Sequence, residues 1–345
     1  MQKVILACLL TCWFAFRGLA WADSNVDISD VDISDQHGQQ GNYTDALEHF
    51  RKAAEQGSAK AQHRFGIMYK YGQGVPQDYK QAVYWFRKAA DQGYMNAQFN
   101  LGSMYRHGDG VKQDHQQASS WFRQSAEQGY MNAQLTLGSM YRHGDGIPQD
   151  LEKAVYWFRK AAEQGDAFVQ LSLGSMYKHG DGVAQDDQQA AYWYRKAAEQ
   201  GDALAQNLLG SMYVLDQGVA QDYQQAVYWY QKAAQQGNAN AQYNLGIMYN
   251  NGQGIPQDYQ QAVYWFRKAA ERGKANAQYN LGVMYGNGDG ISQDHKQAYA
   301  WFSVSAAGGY QDAFKDRELA AANLDKKGLT EAQALAEKYS KKYRR

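Results

Sequence analysis

Seven tryptophans, Trp85, Trp121, Trp157, Trp193, Trp229, Trp265 and Trp301, stand 36 residues apart, and the remaining two, Trp13 and Trp21, fall in the first 22 residues. A large aromatic recurring at a fixed period of 20–50 residues marks a tandem array. Each unit is then one supersecondary element that buries its apolar face against its neighbours. A 345-residue chain would otherwise be expected to hold two or three globular domains; an array grows in one direction and escapes that estimate.

Seven complete units run over 54–89, 90–125, 126–161, 162–197, 198–233, 234–269 and 270–305. A half-repeat cap at 37–53 precedes them, its Ala46, Phe50 and Ala53 matching the second half of each unit. A helical cap with a basic end, 306–345, follows. In unit 90–125, Ala97, Leu101, Gly102, Met104 and Tyr105 form one apolar stripe at helical spacing. His107-Gly108-Asp109-Gly110-Val111 interrupts it with glycines suited to a left-handed helix end. A second helix from about Asp114 carries Ala118, Trp121, Phe122 and Ser125. The unit therefore reads as helix, glycine-rich turn, helix, short turn.

Gly66, Gly102, Gly138, Gly174, Gly210, Gly246 and Gly282 stand inside the first helices, where glycine costs up to ~1 kcal/mol relative to alanine. Seven repetitions of that cost imply a close approach by a neighbouring helix. Asp216 replaces the turn glycine in one unit, and aspartate tolerates the left-handed region better than most residues.

The N-terminus has the pattern of an export signal: Lys3, an apolar run from Val4 to Phe16, and Ala20-Trp21-Ala22 before Asp23. Cleavage is expected after Ala22, and the run is too short for a membrane span, which needs roughly 20 apolar residues. Cys8, after Ile5-Leu6-Ala7, offers an alternative lipid-attachment point. An acidic leader, 23–36, contains the tandem copy Val26–Asp30 and Val31–Asp35 without the glycine or distal glutamate of a calcium loop, and reads as disordered. Both cysteines, Cys8 and Cys12, lie inside the signal, so the mature chain has no thiol for disulfides, catalysis or metal. Charge balances at 35 basic and 35 acidic residues, which argues against a global grip on nucleic acid.

Leu101-Gly102-x-Met104-Tyr105-x-x-Gly108-x-Gly110-Val111-x-x-Asp114, then Ala118-x-x-Trp121-Phe122 and Ala126-Glu127-Gln128-Gly129, resembles the Sel-one-like repeat, and the other six units repeat the pattern. The resemblance covers about 37–320. It implies an all-α, right-handed α/α superhelical solenoid related to tetratricopeptide repeats, and an adaptor or scaffold role. Bacterial relatives with a disulfide in each repeat have been called penicillin-binding or β-lactamase-like, but this chain lacks their cysteines.

No catalytic motif of the G-x-S-x-G, H-E-x-x-H, phosphate-loop or S-x-x-K kind appears. His107, His143 and His179 recur at one position, yet equivalent residues on stacked helices stand roughly 8–10 Å apart, too far for one metal. No metal and no cofactor is expected. Asp78, Asp114, Asp150, Asp186, Asp222, Asp258 and Asp294 each precede a second helix and read as N-caps. Gln62, Gln98, Gln134, Gln170, Gln206, Gln242 and Gln278 read as interhelix hydrogen-bonding groups.

Positions that change between units gather on the arc of the first helix opposite the apolar stripe. By similarity to tetratricopeptide repeats, this arc lines a concave groove. The candidate partner-binding residues are Asn96, Phe99, Arg106, His107, Asn132, Arg142, His143, Lys178, His179, Asn240, Tyr243, Asn276 and Tyr279. Asparagine amides suit an extended peptide backbone and arginines suit carboxylates, so the expected partner is a polypeptide, with a carboxylate-bearing part near 106–179. A solvated face is the competing reading of the same residues. The function expected is an exported, periplasmic or secreted interaction scaffold without catalysis; the rival is an envelope hydrolase or enzyme subunit acting on peptidoglycan or β-lactams.

Overall fold

A computed structural model describes residues 43–343; the export signal, the acidic leader and the first residues of the N-terminal cap lie outside them. Among the described residues there are seventeen α-helices and no strand. A capping helix, α1 (Tyr43–Glu55), comes first. The helix pairs are α2 (Ala59–Tyr71) with α3 (Tyr79–Asp91), α4 (Met95–His107) with α5 (His115–Glu127), and α6 (Met131–His143) with α7 (Leu151–Ala162). They continue with α8 (Ala167–His179) and α9 (Asp187–Glu199), α10 (Ala203–Leu215) and α11 (Tyr223–Gln235), and α12 (Ala239–Asn251) and α13 (Tyr259–Glu271). The last pair is α14 (Ala275–Asn287) with α15 (His295–Ala307), and α16 (Asp312–Ala322) and α17 (Lys326–Tyr343) close the chain. The expected all-helical array of helix pairs is what folds.

Two compact units result. Among the described residues, the first runs to Val169 and takes in Gly180–Ala184; the second comprises Gln170–His179 and everything from Gln185.

Local chemistry fixes the helix boundaries. All seven aspartates expected as caps are the N-caps of the second helices; Asp114 Oδ1, for instance, accepts from the amides of Gln116 and Gln117, both at 2.9 Å. First helices end on a residue in the left-handed region: Gly108 at φ 79° closes α4, and Asp216 at φ 54° closes α10. Asp216 is the only non-glycine with positive φ among the described residues, and its carboxylate steadies the turn by accepting from the Gln221 amide.

In six of the seven first helices the internal glycine makes room for an aromatic ring of its partner helix, Gly138 being the exception. A Cβ on Gly102 would stand 2.8 Å from the Phe122 ring and 3.2 Å from the Ala118 carbonyl oxygen. Gly66 faces Phe86 in the same way, Gly174 faces Tyr194, and Gly282 faces Phe302. The second turn glycine serves stacking between pairs. A Cβ on Gly254 would lie 2.3 Å from the carbonyl oxygen of Tyr223, and one on Gly110 would lie 2.4 Å from that of Tyr79. In each case the turn rests on the first residue of the preceding second helix, and only glycine leaves that space.

The tryptophan ladder lies within this packing. Trp121 packs against a core of Ala82, Val83 and Phe86 from α3 with Leu101 and Met104 from α4. Trp265 does the same on the α11–α12 core of Ala226, Tyr230, Leu245 and Met248. Trp121, Trp265 and Trp301 therefore bind their own pair to the second helix before it, a wider role than holding one pair together. Five of the seven are buried, and Trp121 and Trp265 are partly so.

Candidate functional site

The residues constant between units are consumed by the fold. Gln98 Nε2 donates to the Ala90 carbonyl across the inter-pair turn, while Gln128 Nε2 donates to Gln98 Oε1 at 2.7 Å. The same ladder links Gln92 to Gln62, Gln164 to Gln134, Gln200 to Gln170 and Gln236 to Gln206. It breaks once. Arg272 stands where the next glutamine donor would be, and Gln242 Oε1 is left buried without a hydrogen-bond partner.

The thirteen first-helix residues singled out from sequence divide into three groups. Some are packing residues, set against the second helix of their own pair or the segment that follows it. Phe99 is buried, 7% exposed, with its ring 5.4 Å from Phe122 and 5.2 Å from Tyr130. Tyr243 and Tyr279 are partly buried, with rings 6.0 Å from Phe266 and 5.6 Å from Phe302. The Tyr279 hydroxyl donates to Asp316 Oδ2 at 2.7 Å, and burial pushes its ionisation well above the usual phenol range, helped by that carboxylate. Consecutive first helices are joined by His63 with Asn100 (2.8 Å) and by Asn244 with Asn207 (3.1 Å), residues 37 apart in each case.

The cations form a second group, and each is already engaged within the chain. Arg106 lies 3.8 Å from Asp145, and Arg142 lies 3.9 Å from Asp181, the aspartate in each case coming from the next glycine turn. Burial lowers the Arg142 pKa, and Asp181 partly offsets that. Lys178 Nζ donates to Asp187 Oδ1 at 3.0 Å and to Gln217 Oε1 at 2.7 Å. His143, beside Arg142, is held below the ordinary imidazole value by desolvation first and by the Arg142 charge second.

The third group keeps access or hydrogen-bonding capacity. His107, His143, His179 and Asn240 are exposed, with His107 Nδ1 also 2.9 Å from the Ser103 carbonyl oxygen. Asn132 is partly buried and donates to the Tyr130 hydroxyl. Asn96 and Asn276 are partly buried, and the amide oxygen of each has no hydrogen-bond partner within the chain. Among the described residues no three His, Cys, Asp or Glu side chains are grouped to hold a metal ion.

Sequence reasoning passed over a second surface. The residue before the ladder tryptophan is an exposed tyrosine in five second helices: Tyr84, Tyr156, Tyr192, Tyr228 and Tyr264, between 46% and 53% exposed. Each stands edge-on to its tryptophan at about 5 Å. The signal was present as a Tyr-Trp dipeptide with lysine four residues after the tyrosine, hidden beneath the stronger tryptophan period.

Helix pairs stacked at a 36-residue period, with constant residues in caps and ladders and variable residues on the first helices, define an α/α repeat scaffold. The family pattern described as Sel1 repeat matches residues 35–58, 59–94, 96–130, 132–166, 167–202, 203–238, 239–274 and 275–310. The chain belongs to the Sel1 repeat family. Proteins of this family are generally protein-interaction scaffolds, and nothing in the comparisons points to catalysis. A Sel1 repeat protein from Oxalobacter formigenes is similar at 35% identity and TM-score 0.57, over 87% of this chain and 83% of that one. A protective antigen present in uropathogenic Escherichia coli strains, with the same repeat fold, is similar at 32% identity and TM-score 0.52, over 90% of each chain. The comparison with curated proteins gives no match.

Proposed function

We propose that the protein is an exported interaction scaffold that holds an extended polypeptide along its first helices and performs no catalysis. One observation carries this reading. The constant residues are used up by caps, ladders and packing, while the residues that differ between units lie on the first helices, where Asn96 and Asn276 keep unpartnered amide oxygens. An unpaired acceptor out of water costs about 1–3 kcal/mol. A backbone N–H from a bound strand, reached by rotation of the amide, would recover that cost.

The paired cations refine the expected carboxylate preference. A partner carboxylate near 106–179 would bind Arg106 or Arg142 by competing with Asp145 and Asp181 for the guanidinium donors, and their present separations of 3.8 and 3.9 Å leave room for exchange. Export is supported by the pattern of residues 3–22 and by likeness to a protein described as a protective antigen. No described helix is long and apolar enough to cross a membrane.

Capture of partners from the native envelope by the full mature chain tests the reading, comparing wild type with a variant in which Arg106, Arg142 and Lys178 are all alanine. Loss of a polypeptide partner in the variant is expected, and undiminished capture sinks the assignment to this face. Sustained turnover of a muropeptide or of nitrocefin by the pure protein would favour the enzyme reading.

A further inference from the structure

In the second compact unit, three consecutive second helices present the same side chains outward. These are Gln188, Gln189, Tyr192 and Lys196 on α9; Gln224, Gln225, Tyr228 and Lys232 on α11; and Gln260, Gln261, Tyr264 and Lys268 on α13, all exposed. Residues four apart share one face of a helix, so the first glutamine, the tyrosine and the lysine of each set form a short stripe. The tyrosines are 48%, 46% and 48% exposed. The lysine Nζ atoms lie 5.8, 4.9 and 5.6 Å from their ring centroids, and none of the three lysines makes an ion pair with a carboxylate among the described residues.

The fold does not require this set. Ser120 occupies the tyrosine position in α5 and Ala300 occupies it in α15, and both helices pack normally. The full set of two glutamines, tyrosine and lysine occurs only on these three helices. Charge on them is net positive, with Arg195, Lys196, Lys232, Arg267 and Lys268 against Asp187, Glu199 and Glu271.

We infer that this face binds a linear acidic polysaccharide, a chain of uronic acid residues. Three features select that chemistry. A half-exposed phenol ring offers a flat apolar surface to the C–H face of a sugar ring, while its hydroxyl and the paired glutamine amides can donate to and accept from sugar hydroxyls. An unpaired lysine column meets regularly placed carboxylates. Identical side chains presented three times in succession match a partner whose own chemistry repeats, which a polypeptide of varied sequence does not. Each contact is weak and solvent-exposed, so binding comes from simultaneous engagement of several stripes.

The site lies on the second helices and is independent of the polypeptide surface proposed above. The test is titration of the full mature chain with polygalacturonate, with neutral dextran and polyglutamate in parallel. Wild type is expected to bind polygalacturonate in a salt-sensitive manner and polyglutamate at least tenfold more weakly. Replacing Lys196, Lys232 and Lys268 together by Gln should weaken polygalacturonate binding at least tenfold. A second variant, Tyr192, Tyr228 and Tyr264 to Leu, keeps an apolar cover over the tryptophans and should lose binding similarly, with its helical circular dichroism unchanged. The Arg106, Arg142 and Lys178 variant should bind polygalacturonate as wild type does. Absence of binding by wild type overturns the inference. So does polyglutamate binding of equal strength that the leucine variant retains, because the face would then be a general contact for acidic polypeptides.

Discussion

At the scale of single residues, near-identical repeats supply internal controls. Gly102 and Gly138 occupy the same position in successive first helices. A Cβ at Gly102 would meet Phe122 at 2.8 Å and the Ala118 carbonyl at 3.2 Å, whereas one at Gly138 meets only ordinary contacts at 3.5 Å. Gly102→Ala should therefore destabilise by about 1–3 kcal/mol through overpacking, whereas Gly138→Ala should stabilise by up to ~1 kcal/mol from helix propensity. Urea unfolding of the two variants checks both signs. Arg272 is a second such case. It interrupts the glutamine ladder and leaves Gln242 Oε1 buried without a partner. Arg272→Gln, which copies Gln236, should restore the donor and raise stability by about 1 kcal/mol, read as a higher urea midpoint at unchanged slope.

At the scale of helices and turns, the second helices are uniformly capped by aspartate, but the first helices are not. Ser58, Asp202 and Asn238 cap α2, α10 and α12 through side-chain oxygens. Lys274 begins α14 with no side-chain cap, and burial lowers its pKa. Lys274→Asn, matching Asn238, should gain a cap and relieve a desolvated ammonium, for about 1 kcal/mol of added stability, measured by thermal or urea unfolding. Element boundaries of this kind were legible in the sequence, because a cap or a left-handed turn is decided by residues within one turn of helix. The seven aspartates and Asp216 show it. The exposed tyrosines show the limit: helical spacing placed them beside the tryptophans, but their exposure follows from where the neighbouring pairs sit.

At the scale of the molecule, a repeat array is stabilised by each unit and by its contacts with adjacent units. A whole unit can therefore be removed without unmatched surfaces. Excision of Ala203–Asn238 would join Asp202 to Ala239, so that Asp202, now the N-cap of α10, would cap α12. The shortened chain should stay cooperatively folded, with unchanged helical circular dichroism per residue. Excision of half that length should expose unpaired apolar faces and bind a hydrophobic dye. Equal behaviour of the two deletions would contradict unit-by-unit stacking of helix pairs.

The sequence by itself determined the period, the helix pairs, the caps and turns, and the family, because all of these are encoded locally and then repeated. Tertiary structure decided what the first-helix residues do. Phe99 lies in the core against Phe122 and Tyr130, Tyr279 donates to Asp316, and Arg106 and Arg142 face the aspartates of the following turns. These partners stand 37 residues apart for Tyr279 and 39 apart for the two arginines, beyond the 36-residue period. Such offsets arise from the displacement of one helix pair against the next. Helical periodicity places a side chain on a face, but the contacts between stacked pairs decide whether that face meets a neighbour or water.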